Sequence, residues 1–176
     1  MTKLVSIGRR TEVTTPPDLV ALLLECHERI RTFAGIAVDV ARRSDLSSSD
    51  VAEACRRCIR YFEQALPLHV LDEERSLLPR LSQTNEEVRA ALTAMHNQHH
   101  AHEPQLVEFL AGLRDLEQDP LSGDARARLE PVAVELAAQF EDHLVLEERV
   151  IFPAIREHLS VADQTEVLAE LRARRQ

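Results

Sequence analysis

Two stretches far apart in the chain share one pattern: His69 to Pro79 reads HVLDEERSLLP, and His143 to Pro153 reads HLVLEERVIFP. Each is His, three residues, Glu-Glu-Arg, three residues, Pro. On a helix the histidine and the first glutamate, four positions on, stand one turn apart on the same face. The apolar phase turns that face inward. Phe62, Leu66, His69, Glu73 and Leu77 form one stripe, and Leu136, Phe140, His143, Glu147 and Val150 form another. An ionised carboxylate buried without a partner costs on the order of several kcal/mol. A chain that buries two of them must therefore fold so that compensating groups meet them.

The remaining punctuation describes the body that does so. At 176 residues the chain is one domain by size, large enough for a core without disulfides or a structural metal. Few glycines, a single tyrosine and abundant Ala, Leu, Glu and Arg point to an all-α fold. Pro16-Pro17-Asp18 opens a first helix running to about Arg43. After the SDLSSSD loop, Asp50 with Glu53 forms a capping-box-like start for a second helix, and Thr84 with Glu87 repeats the device for a third. DPLSGD, at 119 to 124, precedes a fourth helix, and a shorter one follows Ser160. Short loops between long helices predict an up-down-up-down antiparallel four-helix bundle with a short C-terminal helix. Residues 1–14 read as a loose arm and 15–176 as the bundle domain. Pro67, Pro79, Pro104, Pro131 and Pro153 are expected to bend their helices or mark early ends.

In an antiparallel hairpin, residues equidistant from the turn share a height. His27 and His69 centre on 48, inside SDLSSSD; His69 and His99 centre on 84; His99 and His143 centre on 121, inside DPLSGD. Four histidines, one per helix, are thus expected in a single layer with Glu73 and Glu147 one turn away. A pair of divalent or trivalent cations would neutralise that layer, and mixed nitrogen and oxygen donors suit iron or manganese, with zinc also fitting.

Other function classes are argued against. The formal net charge is −9, and no basic stripe with interleaved aromatics occurs, so nucleic acid is not an expected partner. No apolar run reaches the roughly 20 residues that span a bilayer, and the N-terminus has no signal-like core, so no membrane is expected either. Three cysteines, Cys26, Cys55 and Cys58, are an odd number that suits a reducing compartment, and the expectation is a cytoplasmic protein.

The ordered set His27, HVLDE (69 to 73), His99 and HLVLE (143 to 147), with EERSLLP and EERVIFP as flanks, resembles the hemerythrin-like, or HHE cation-binding, family over roughly Leu19 to Ile155. The resemblance implies a four-helix bundle holding two iron ions (Fe2+/Fe3+), oxo- or hydroxo-bridged. His27, His69, His99 and His143 would be nitrogen ligands, and Glu73 and Glu147 would bridge. On the third helix MHNQHHAHEP also offers His96, His100 and His102. Apolar Leu92, Met95 and Leu106 favour His99, and the family's Met-x-x-Glu-His run aligns with MHNQH, Gln98 standing where Glu is common. His96 with His100 fits instead the His-x-x-x-His form that oxygen-carrying hemerythrins use. Ferritin-like bundles pair Glu-x-x-His on a helix, which no histidine here does.

Four imidazoles and two bridging carboxylates on two octahedral irons leave each metal accessible, which implies binding of, or reaction with, dioxygen, nitric oxide or peroxide. The alternative is an iron-dependent regulatory or iron-donating module, of the iron-sulfur repair kind, without turnover; whether the protein is an enzyme stays open. Cys55 and Cys58 read as packed helix thiols about 20 Å from the layer. Tyr61, two turns before His69, reads as core packing or as a hydrogen-bond donor to a bound ligand.

Overall fold

The carboxylate of Asp18 accepts a hydrogen bond from the Val20 N–H (3.0 Å) and caps the first helix, α1, Leu19–Arg42. The computed structural model describes residues 18–176, so the arm expected at 1–14 lies outside the described residues. Helix α2 spans 48–81, α3 is Glu86–Gln118, α4 spans 123–158 and α5 is Val161–Ala173; every regular element among the described residues is helical. Two starts differ from expectation. Ser47, whose side chain accepts from the Asp50 N–H, caps α2, and Asn85, accepting from Val88, caps α3. Thr84 instead donates to the Leu81 carbonyl and closes the preceding turn. The last helix has the reciprocal box of Ser160 and Asp163.

Each of α1 to α4 packs on two of the others, in the cyclic order α1, α2, α3, α4. Polar pairs record how they lie. Along α1 and α4 the partners are Asp18 with Arg156, Arg31 with Glu141, and Arg42 with Glu130. Along α2 and α3, Glu63 meets Arg114 and Glu74 meets His99. No described helix is long and apolar enough to cross a membrane.

The buried apolar residues fall into two clusters. One gathers Ile30, Leu66, Phe62, Phe109, Leu136 and Phe140; the other gathers Leu23, Leu77, Met95, Ile151 and Ile155, with Val167 and Leu171 of α5. On every long helix the two clusters part at the histidines: His27 stands between Leu23 and Ile30, and His143 with Glu147 between Phe140 and Ile151. The core is thus two greasy plugs with a polar layer between them.

None of the five prolines ends its helix at the preceding residue. Pro67, Pro79 and Pro153 each follow a π turn, at Tyr61–Ala65, Glu73–Leu77 and Glu147–Ile151. Leu66, Leu78 and Phe152, each preceding a proline, donate to carbonyls five residues back, at Tyr61, Glu73 and Glu147. Proline lacks an N–H, and in an α-helix its ring meets the carbonyl four residues earlier. The wider turn gives the ring room. It also changes the phase. Four α-helical residues overshoot a full turn by about 40°, yet His69, Glu73, Leu77 and Leu81 are all buried, as are His143, Glu147, Ile151 and Ile155. The stripe expectation of Val150 is corrected: Ile151 fills the core and Val150 is only partly buried.

Helix α5 is tied to α2 beside the polar layer. Fully buried Asp72 accepts from Arg174 (2.8 Å) and Arg175 (2.5 Å), while buried Ser76 accepts from Arg174 (2.7 Å) and donates to Glu170 (2.5 Å). Removing both arginines strands a buried carboxylate. Because they are themselves partly exposed, the loss in Arg174→Ala/Arg175→Ala is expected to be about 2 to 3 kcal/mol in urea unfolding. Adding Asp72→Ala to that pair should recover part of it, since the uncompensated charge is then gone.

Candidate metal centre

The helices deliver the layer one residue at a time. His27 comes from α1, His69 and Glu73 from α2, His99 from α3, His143 and Glu147 from α4. All but His99 are buried outright, and its side chain is only 7% exposed. The structure brings all six together.

Each glutamate stands between two imidazoles from different helices. Glu147 Oε2 is 3.0 Å from His27 Nε2, and its Oε1 is 3.1 Å from His143 Nε2. Glu73 Oε1 is 3.1 Å from His69 Nε2, and its Oε2 is 3.2 Å from His99 Nε2. These are hydrogen-bond distances without hydrogen-bond directions: both oxygens of both carboxylates, with Nε2 of His27, His69 and His99, are buried and have no hydrogen-bond partner. Unpaired donors and acceptors at this depth are rare and costly. Neighbouring donors on one octahedral first-row ion with bonds of about 2.1 Å stand about 3.0 Å apart. Two sets of four have this closeness: His27, His69, Glu73 and Glu147, and Glu73, His99, His143 and Glu147, each with its donor atoms within 4.8 Å of one another. Both glutamates belong to both sets. The residues therefore fit metal cations held by nitrogen and oxygen.

Electrostatics agree. Burial pushes His69 down to about 3, so its imidazole is neutral and its lone pair free. Burial and the neighbouring Glu147 hold the Glu73 carboxyl well above the usual range. Glu147 is held well below it: burial opposes its ionisation, but His143 and His27 outweigh the burial. Two carboxylates this close do not both ionise without a cation beside them.

The second glutamate of each doublet has its own task. Glu148 Oε1 accepts from His27 Nδ1 (2.9 Å), and Glu74 Oε1 accepts from His99 Nδ1 (3.1 Å). Each Glu-Glu pair thus faces both nitrogens of one imidazole on a neighbouring helix: Glu148 holds His27 by Nδ1 while Glu147 lies near its Nε2, and Glu74 and Glu73 stand likewise to His99. With the Nδ1 proton donated outward, Nε2 is left as an inward lone pair. Arg31, donating to Glu148 (2.8 Å), fixes one outer carboxylate, and His143 Nδ1 donates to Gln98 Oε1 (2.9 Å). His69 has no such partner on its Nδ1. The outer glutamates are partly buried orienting groups. Arg75 and Arg149, the third letter of the shared motif, are exposed.

The other histidines separate. His96 and His100 lie outside both sets and group with Glu74. His102 is buried edge-on against Phe140 (5.3 Å between centroids) and His143 (5.6 Å), and burial lowers it to about 4. Its signal was the spacing from His99, three residues on, which puts both on one helical side. Tyr61 stacks on Phe33 at 4.2 Å, and Cys55 and Cys58 are fully buried free thiols, Cys58 pushed up to about 12 by burial. A cavity of about 390 Å³ opens between α2 and α3, walled by Leu66, Val70, Leu106 and Phe140, and reaches His69, His99 and His143.

No curated protein matches the chain in sequence. A family model does: the hemerythrin HHE cation binding domain matches residues 18–155, most of the chain, and that span holds all six residues of the layer while α5 lies beyond it. A buried histidine and glutamate layer that fits cations, inside a match of this extent, means that the chain belongs to the hemerythrin HHE cation binding family.

Proposed function

We propose that the protein is a non-haem di-iron protein of His4Glu2 type that binds or reacts with dioxygen, nitric oxide or peroxide. The observation that carries this reading is the sharing of Glu73 and Glu147 between both four-residue sets. His27 and His69 would hold one iron, His99 and His143 the other, and the two carboxylates would span them. A donor set of imidazole and carboxylate without thiolate suits iron or manganese better than copper(I). When bound, two irons supply an electron reservoir and Lewis acidity. The chain's own residues supply the rest: outward Nδ1 donation by His27, His99 and His143 keeps their Nε2 atoms unprotonated, and the apolar plugs exclude water.

The small-ligand reading is supported by the cavity, whose apolar walls suit a small, weakly polar molecule and end at His69, His99 and His143. It favours ligand chemistry over an iron-dependent regulatory or iron-donating module without turnover. The up-down-up-down antiparallel arrangement of α1 to α4, as one domain over 15–176, belongs to the proposal. It is supported by partner numbers that fall along α4 as they rise along α1, from Asp18 with Arg156 to Arg42 with Glu130. Three free cysteines and the absence of a membrane-crossing helix among the described residues support a cytoplasmic location.

Anaerobic loading with Fe2+, gel filtration to remove exchangeable ion and metal analysis should give two irons per chain; a plateau at one or none overturns the di-iron reading. Glu73→Ala and Glu147→Ala should lose the metal pair and the thermal stabilisation that loading brings. Glu74→Ala and Glu148→Ala should keep the stoichiometry but weaken affinity by about 10- to 100-fold against a chelator, as expected for groups that orient a ligand. His99→Ala should behave as a lost ligand.

Leu71 lines the cavity and is partly exposed at its rim. Leu71→Trp should leave iron content unchanged while slowing reaction with nitric oxide several-fold in stopped-flow absorption. An unchanged rate in a variant with full iron would remove the cavity as the ligand route.

A further inference from the structure

The carboxylate that orients His99 also faces outward. Glu74 Oε1 accepts from His96 Nδ1 at 3.0 Å, and His96 and His100, one turn apart on α3, meet edge-on with ring centroids 4.7 Å apart. A donor atom from each of Glu74, His96 and His100 lies within 4.8 Å of the others. The side chains of His96 and His100 are 44% and 60% exposed. No residue of this trio belongs to the buried layer, although Glu74 touches it through His99.

We infer that Glu74, His96 and His100 form a separate surface site for a divalent first-row cation, at the mouth of the cavity leading to the buried layer. Two imidazoles and one carboxylate are a donor set that such ions take readily, with water completing the shell on the exposed side. The i, i+4 histidines give two donors from one rigid helical face, and Glu74 adds the third from α2, so the ion would staple α2 to α3. Glu103, 3.4 Å from His100 Nδ1, adds negative charge nearby. Three protein donors leave exchangeable positions, which suits passing an ion on rather than keeping it. Glu74, His99 and His100 all line the cavity that ends at His69 and His143. Glu74 also meets His99 of the layer, so the outer site is placed to collect a cation and release it along the polar side of the cavity, leaving the apolar wall to the small ligand. That uptake role rests on the buried centre proposed above; the site itself does not.

The probe is Co2+, added to iron-loaded protein whose iron content has first been measured, and followed by calorimetry and visible absorption. Wild type should bind one more Co2+ per chain than His96→Ala/His100→Ala, with both proteins holding the same iron. Both positions are exposed on a helix and alanine favours helix, so helicity by circular dichroism should match. Equal Co2+ binding by the two proteins, or no extra equivalent in wild type, overturns the site. Loss of iron from the double variant would assign these histidines to the buried centre and overturn their separateness. In stopped flow, Fe2+ loading of metal-free double variant should be slower than wild type with the same end point; equal rates overturn the uptake role alone. A failure of the di-iron reading shows separately, in the iron content measured before Co2+ is added.

Discussion

Two carboxylates in an apolar interior, each wedged between imidazoles of different helices, set the terms for the whole molecule. Glu73 and Glu147 are at most 1% exposed, and all four of their oxygens lack a hydrogen-bond partner. Within its own helix each meets a single imidazole, His69 beside Glu73 and His143 beside Glu147. The rest of their compensation comes from His27 and His99 on neighbouring helices, and from the cation that the six donors fit. The site is consequently also a clamp: four helices meet there, and the apolar plugs on either side keep water from doing the same work.

The plugs and the layer depend on each other. Leu66, Phe109 and Phe140 close one side, Leu77, Met95 and Ile151 the other, so the donors sit where the dielectric is low and geometry is stiff. Helix α5, outside the family match, reinforces the side nearest Glu73. It buries Val167 and Leu171 in the second plug and holds Asp72 and Ser76 on either side of Glu73 through Arg174, Arg175 and Glu170. A short terminal helix therefore bears on a donor it never touches.

Much of this is legible in the letters. Four histidines at heights set by the turn positions, and two glutamates one turn further on, are arithmetic on helical pitch, and the structure brings those six together. Two things were hidden. The π turns at Glu73 and Glu147 replace Val150 by Ile151 in the core, and the proline six residues after each was their only mark. The role of Glu74 and Glu148 was hidden too, because a helical wheel gives the direction of a side chain on its own helix but not the imidazole that waits on the next one.

The sequence by itself determined the all-helical class, the inward His-Glu stripes and the residues able to share a layer, because periodicity and loop position are properties of the chain taken along its length. Tertiary structure alone decided which imidazole each carboxylate faces, that one Glu-Glu doublet faces both nitrogens of His27 and another both nitrogens of His99, that His102 is buried while His96 and His100 gather on Glu74, and that α5 bolts onto Asp72. These are contacts between helices. They depend on ångström-scale rotation and offset of one helix against another, which side-chain volumes in the two plugs set collectively and no single repeat encodes.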